Sequence, residues 1–306
     1  MILVTGATGL SGSAVIRECV DQGLPVQALV RDPAKAATLG MLGAVEVVQG
    51  DMLMPATLDG VLDGVERVLM ISSADERLVE TQCTFIDAAK RAGVRHIVKF
   101  SGMGCWSDST FRFARMHAEV ERYLEVSGLA WTHLRPSTFM QNYFREVPTI
   151  LYDGTLNLPM GAAKLAPVDV DDIAQVAVAL LHGTGHEGKR YEMTGPEALS
   201  TSEIAEQISS AIDRPVRYVD TDPVDYRETL LAAGIPAAFA DAMDELFSER
   251  RRGSDESRAN LSTHTVFDVT PTTFAAFAHR HAAVFRGEAP ASHLWASGGQ
   301  SSPAAR

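Results

Sequence analysis

The tightest constraint on this chain lies in its first dozen residues. An apolar run, Ile2, Leu3 and Val4, leads through Thr5 into glycines at positions 6, 9 and 12, and a helical spacing of apolar residues (Leu10, Ala14, Val15, Cys19) follows at once. Strand, glycine turn and helix in that order need backbone freedom at the turn, close approach of backbone to a ligand, and tight packing of helix on strand. The helix start then offers unpaired N–H groups and partial positive charge to an anion such as a pyrophosphate. Glycines alone are a weak sign. Between a buried strand and an amphipathic helix they read as a phosphate turn, the alternative being an ordinary tight turn of an α/β protein.

The same rhythm continues. Apolar strands are expected at residues 24–30, 45–48, 65–71, 96–100 and 129–134, separated by helical patterns at 34–42, 55–62, 75–92 and 111–127. Strands alternating with helices imply a parallel sheet covered on both faces, and right-handed crossovers make the economical topology a doubly wound α/β sheet of the Rossmann kind. Beyond Pro136 the pattern loosens. Residues 137–167 are loop-rich with an extended piece at 155–158, and the run from Val168 to Asp172 opens a helix whose aspartates suit an N-cap and first turn better than a metal site. A strand at 190–193, a capped helix from Ser200 or Thr201, a strand at 216–219, helices within 224–252 split at residues 234–236, and a last helix at 271–286 complete the pattern. The expected organisation is a sheet domain over 1–150 to which 160–195 return, a smaller α+β C-terminal lobe over 196–286 that closes on the ligand crevice, and a flexible tail at 287–306.

Bulk properties narrow the partners. A net charge of −12 excludes the dense Lys and Arg that phosphate neutralisation of a nucleic acid requires, and the one basic cluster, Arg250 to Arg252, reads as a solvated helix end. With no apolar stretch long enough to span a bilayer and a strand beginning at residue 2, no membrane or secretory segment is expected. Three scattered cysteines, Cys19, Cys83 and Cys105, fit a reducing compartment, so a cytoplasmic protein, monomeric or homodimeric, is the expectation. His182 and His186 lie four apart, but glycines at 183 and 185 break the helix that would align them on a metal.

The end of the second strand decides cofactor type in a dinucleotide-binding sheet. An acid there holds a ribose 2′-hydroxyl, whereas an arginine accommodates a 2′-phosphate. Here the residues are Arg31, then Asp32, with Lys35 a turn later. Two cations suit a doubly charged phosphate, which favours NADP(H) over NAD(H); Arg31 as a plain surface residue is the alternative.

Several segments together resemble one family. GATGLSG at the start, ALVRDPAKA, QGDM, ISS, KFSGMG, FARMHAEVERYLEVSGLAWTHLRP and STFMQNY, spread over roughly the first 200 residues, are similar to the NmrA-like atypical short-chain dehydrogenases/reductases. That family comprises NAD(P)H-dependent reductases of quinones, azo compounds and triphenylmethane dyes, together with non-catalytic proteins that sense the nicotinamide pool. The resemblance implies that Gly6, Thr8, Gly9, Leu10, Ser11 and Gly12 hold the pyrophosphate, Arg31 and Lys35 the 2′-phosphate, and Asp51 with Met52 the adenine. It further implies that Ser72 and Ser73 pass along the ribose while Pro136, Ser137, Thr138 and Phe139 back the nicotinamide. Asp51 also suits a turn or cap before Pro55.

The departure from the wider superfamily is catalytic. Ordinary short-chain dehydrogenases place a tyrosine four residues before a lysine on the helix after the fifth strand; here those positions are Phe113 and His117. Phenylalanine moves no proton. His117 is then the candidate proton relay or ribose partner, or an exposed helical histidine, and Ser101 resembles the serine that assists the missing tyrosine. Acceptors that are already electrophilic need little protein acid, so a planar quinone, azo, dye or enone substrate is expected, placed against Met103, Trp106, Phe111, Tyr143 and Phe144 and oriented by Gln141, Asn142 or Tyr143. For the aromatics the alternative is lobe core, and for the whole chain it is an NADP(H) sensor without turnover.

Overall fold

The computed structural model describes residues 1–36, 39 and 45–291. They build a seven-stranded parallel sheet from β1 (Ile2–Val4), β2 (Val26–Val30), β3 (Val45–Gln49), β4 (Arg67–Met70), β5 (His96–Phe100), β6 (Ala130–Pro136) and β9 (Lys189–Met193), in the order β3-β2-β1-β4-β5-β6-β9. The winding direction reverses between β1 and β4, and the crevice outside their carboxyl ends is where such sheets bind ligands. Every residue of β1 and of β5 is buried, as strands covered on two faces must be.

Helices α1 (Leu10–Asp21) and α5 (Val170–His182) cover one face, where Val4, Val15, Ile16, Val98 and Leu180 meet. Helices α2 (Leu78–Arg91) and α3 (Arg112–Val126) cover the other, with Leu3, Met70, Phe85, Ile86, Ile97 and Val120 in the core. The α5 start is as expected: Asp169 is the N-cap and accepts the Asp171 N–H.

A separate apolar core holds the smaller lobe. It gathers α4 (Val147–Asp153), α6 (Thr201–Ile212), α10 (Phe274–Arg280) and α11 (Ala282–Phe285) around Phe274, Phe277 and Phe285. Two small sheets belong to this half: β7 (Thr155–Leu158) pairs parallel with β11 (Arg217–Asp220), and β8 (Lys164–Leu165) antiparallel with β10 (Leu199–Ser200). Helices α7 (Pro223–Ala232) and α8 (Ala237–Arg252) form a hairpin, and α8 reaches back onto α3. A short helix α9 (Ser262–Phe267) lies by β9.

The expected helix at 55–62 is a single 3-10 turn at Pro55–Thr57 followed by turns, because the run holds a proline at its start and Gly60 at positive φ. The last helix breaks at His281 into α10 and α11. Of the helix expected at 34–42, only the turn Pro33–Ala36 and Leu39 fall among the described residues, and most of the tail expected at 287–306 lies outside them. Among the described residues no helix is long and apolar enough to cross a membrane.

Candidate nucleotide and substrate site

The opening turn has the geometry its glycines predict. Gly6 adopts φ 59°, where an L side chain is strained, and a Cβ there would lie 3.0 Å from Ile71. A Cβ on Gly12 would come within 2.8 Å of the Gly6 carbonyl carbon, so only glycine lets α1 start this close to the turn. No side chain caps α1 and its first turn carries no acid, so its first N–H groups have no side-chain acceptor, as a site for an anion requires. Thr5 locks the turn to the neighbouring strand by donating to the Ile71 carbonyl at 2.6 Å and accepting the Ile71 N–H at 2.8 Å.

At the end of β2, Arg31 and Lys35 are exposed. The Asp32 carboxylate accepts the Ala34 N–H at 3.0 Å and caps the following turn. Its charge is thus turned to its own backbone, and the Arg31 and Lys35 side chains stand exposed beside it. Asp51 is likewise a turn residue: its Oδ1 accepts the Leu53 N–H at 2.9 Å. The Met52 side chain is buried in the α2/α3 face of the core, which leaves only its backbone as a candidate contact to a ligand. Beyond β4, the Ser72 hydroxyl accepts from the Nε2 of fully buried Gln82 at 2.9 Å, while Ser73 is exposed.

The segment after β6 is held from the lobe. Glu256 accepts the Thr138 N–H at 2.8 Å and lies 3.4 Å from the Ser137 hydroxyl, and Arg250 grips the same carboxylate at 2.8 and 3.1 Å. Arg250 is one-tenth exposed, so the solvated helix end expected at 250–252 holds for Arg251 and Arg252, which are exposed, and not for Arg250. Asn142 donates to the Thr138 hydroxyl at 3.2 Å, and Phe139 packs edge-on to Phe100.

Around the ends of β5 and β6 the polar groups converge on one sheet face. Ser101, 6% exposed, lies beside the Cys105 thiol and the Glu121 carboxylate, and its hydroxyl helps to hold both groups down. Two residues earlier, Lys99 is fully buried and its Nζ lies 2.8 Å from Nδ1 of His117. Burial pulls the lysine down to about 8, against the pull of Glu121, and holds half-buried His117 well below its ordinary value, with the lysine charge adding to the effect. Burial alone would raise the Glu121 carboxyl, but its buried ion pair with Arg135 keeps it low. Phe113, one turn before His117, is 4% exposed and packs edge-on to Phe111 and against Phe239 of α8.

Not every expected substrate residue reaches the crevice. Tyr143 packs edge-on to Phe274, and Phe144 meets Phe277 and Phe285, so both are lobe core and are withdrawn as substrate contacts. Gln141 is structural as well, donating to the Asp169 cap at 2.7 Å. Trp106 lies over the Arg135 guanidinium, 4.7 Å from ring centre, and lines a recess of about 390 Å³ along the β9 edge with Arg190 and Glu192. Met103 and Phe111 are half-buried beside Ser101 and Phe113 and stay as candidates. Lys99, Gln82 and Glu256 were not picked out from the sequence, although a lysine inside the apolar strand His96–Phe100 was a visible signal.

The pattern that defines the NmrA-like family matches residues 1–278. The chain belongs to the NmrA-like family. It is 40% identical over 286 residues to an NAD(P)H azoreductase of Xenophilus azovorans, covering 93% of this chain and 99% of that one. It is 39% identical over 263 residues to a (4-alkanoyl-5-oxo-2,5-dihydrofuran-3-yl)methyl phosphate reductase of Streptomyces griseus, covering 84% and 89%. The NADPH complex of an Escherichia coli NADPH-dependent quinone oxidoreductase superposes with a TM-score of 0.82 at 31% identity, over 92% of this chain and 99% of that one.

Proposed function

We propose that this NmrA-like chain is an NADPH-dependent reductase that delivers hydride to a planar, already electrophilic small molecule of quinone, azo or conjugated enone type. The observation that carries the reading is Phe113. The position that would hold a proton-moving phenol holds a buried ring between Phe111 and Phe239, while the phosphate turn, Arg31 and Lys35 are intact. A site that keeps the cofactor and gives up the phenol suits acceptors whose reduction asks for little acid catalysis. The named activities of the azoreductase, quinone oxidoreductase and dihydrofuranone reductase relatives support that acceptor class.

The residues present fit a nicotinamide dinucleotide. The turn is closed to a side chain at Gly6, where Ile71 stands, and at Gly12, where the Gly6 carbonyl stands, which leaves bare backbone and the uncapped start of α1 for a diphosphate. When bound, the dinucleotide supplies the hydride. The chain's own part is to fix and shield: α1 takes the diphosphate, Arg31 and Lys35 the 2′-phosphate, and Thr138, held by Glu256, sets the wall behind the ring. Ser101 and His117 present polar hydrogens where negative charge grows on the acceptor.

Purified protein is to be mixed with NADPH and panels of quinones, azo dyes, conjugated enones, simple ketones and alcohols, following NADPH oxidation. Turnover with one of the first three classes and none with simple ketones or alcohols is expected. NADPH binding without turnover of any acceptor refutes the reading and favours a sensor.

A further inference from the structure

The buried amine next to His117 asks for an explanation that the reductase reading does not give. Taking a lysine fully out of water is costly unless its charge is paired, and Lys99 makes no ion pair among the described residues. The carboxylate that pulls most on its charge, Glu121, is engaged by Arg135. Among the described residues the one hydrogen bond of the Lys99 side chain is to His117 Nδ1. An ammonium has no acceptor lone pair, so a charged Lys99 must donate, and His117 must then be neutral with its one hydrogen on Nε2. That Nε2 makes no hydrogen bond within the chain among the described residues. His117 stands on the second turn of α3, which begins just past the carboxyl end of β5, on the rim where the crevice opens.

We propose that Lys99 positions and reloads His117, holding the ring as an Nε2–H donor and feeding it the proton that the acceptor takes up. The proposal rests on the reductase reading for the acceptor, but the ring state it assigns stands without turnover. A bound dihydronicotinamide would supply the hydride and be oxidised, leaving the acceptor as an anion for this chain's residues to protonate. The acceptor anion forms a bond to the hydrogen on His117 Nε2, the Nε2–H bond breaks, and Nδ1 takes a proton from Lys99 Nζ. The products are the neutral reduced acceptor, a neutral His117 protonated on Nδ1, and a neutral Lys99 amine; one solvent proton delivered through the ring after product leaves restores the start.

The neighbours of Lys99 leave it alone as the group able to do this near neutral pH. Cys83 on α2 is pushed up to about 11 and Cys105 is also raised, both by burial. His133 on β6 is pulled down by burial to about 4, while Glu121 and Arg135 stay charged as a pair. Lys99, at about 8, loses its proton readily enough to donate it and regains it below that pH.

The test uses the full chain with isotope-labelled histidine, followed by nitrogen NMR without cofactor over a pH series. The expected wild-type result is His117 neutral and protonated on Nε2 at pH 7, with its Nδ1 signal moving through an inflection near pH 8 as Lys99 titrates. In Lys99→Met that inflection is lost and ring protonation moves to higher pH. An Nδ1–H ring in wild type at pH 7, or no inflection near 8, overturns the proposal whether or not the variant folds. Turnover supplies the second readout: wild-type kcat falls above about pH 8, and Lys99→Met loses that limb and about a hundredfold in rate. Unchanged pH dependence in a folded Lys99→Met also overturns it. Failure of the acceptor panel with the expected ring titration intact would sink the reductase reading alone.

Discussion

Glu146 gives the most quantitative prediction. It ends the 3-10 segment Met140–Glu146 in the lobe, is 8% exposed, and its carboxylate receives only a long 3.4 Å contact from the Asn157 N–H, with no ion pair among the described residues. Burial pushes this carboxyl from 4.5 up to about 7, with Asn157 and Arg145 pulling weakly the other way. A carboxyl raised in the fold contributes stability below its unfolded pKa and loses it as pH rises through the folded value. Between those two values the unfolded chain releases a proton that the folded chain keeps. At 1.36 kcal/mol per unit the full cost above pH 7 is about 3 kcal/mol, an upper bound because water penetration relaxes it. Glu146→Gln keeps the shape and removes the charge. The variant is expected to be more stable than wild type at pH 8 by up to about 3 kcal/mol, a rise of several degrees in Tm. The advantage should shrink as pH falls from 7 and vanish below about 4.5. Thermal unfolding of both proteins across pH 4 to 8.5 measures it. A stability difference that stays flat with pH would show that Glu146 is solvated or paired in solution, and the burial argument would fail.

Arg31→Ala is expected to raise KM for NADPH roughly ten- to a hundredfold, as loss of a charge-assisted bond to the 2′-phosphate should, with KM for NADH little changed; equal effects on both cofactors refute the phosphate assignment. Gly12→Ala puts a Cβ against the Gly6 carbonyl and should abolish NADPH binding in a calorimetric titration while the protein still unfolds cooperatively; wild-type affinity would mean that the turn opens freely. Phe113→Tyr buries a hydroxyl among Phe111 and Phe239, so we expect a stability loss of about 1–3 kcal/mol by denaturant titration and no alcohol oxidation. Gain of alcohol dehydrogenase activity in that variant would place the ring in the active site after all.

What was legible in the sequence follows the range of the forces involved. The parallel strands announce themselves because burial on both faces demands largely apolar runs; β5 is where it was expected even with His96 and Lys99 in it, and β7 matches the extended piece at 155–158. The start of α6 is equally local, Ser200 and Glu203 forming a reciprocal cap. The two-residue strands β8 and β10 carry no periodicity and pair only once the chain has folded back. Helix α4 was hidden by Pro148, which suits a first turn but reads as a breaker in a loop-rich stretch.

The site divides along the same line. The glycine turn, Arg31 and Lys35 are local and could be read, whereas the groups that finish the crevice meet across the fold. Glu256 reaches Thr138 over a separation of 118 residues, and Gln82 reaches Ser72 from the far side of a strand–helix turn. Tyr143 and Phe144 were misassigned for a related reason: an aromatic after a strand end suits a flat ligand and a lobe core equally, and only the arrival of Phe274, Phe277 and Phe285 decides between them. Lys99 is the sharpest instance. Within its strand it is an anomaly without a meaning, since a buried lysine is costly until something accepts its proton. Its role depends on His117, 18 residues on and in a separate helix, so the residue that most constrains the ring's chemistry could be recognised only from the two together.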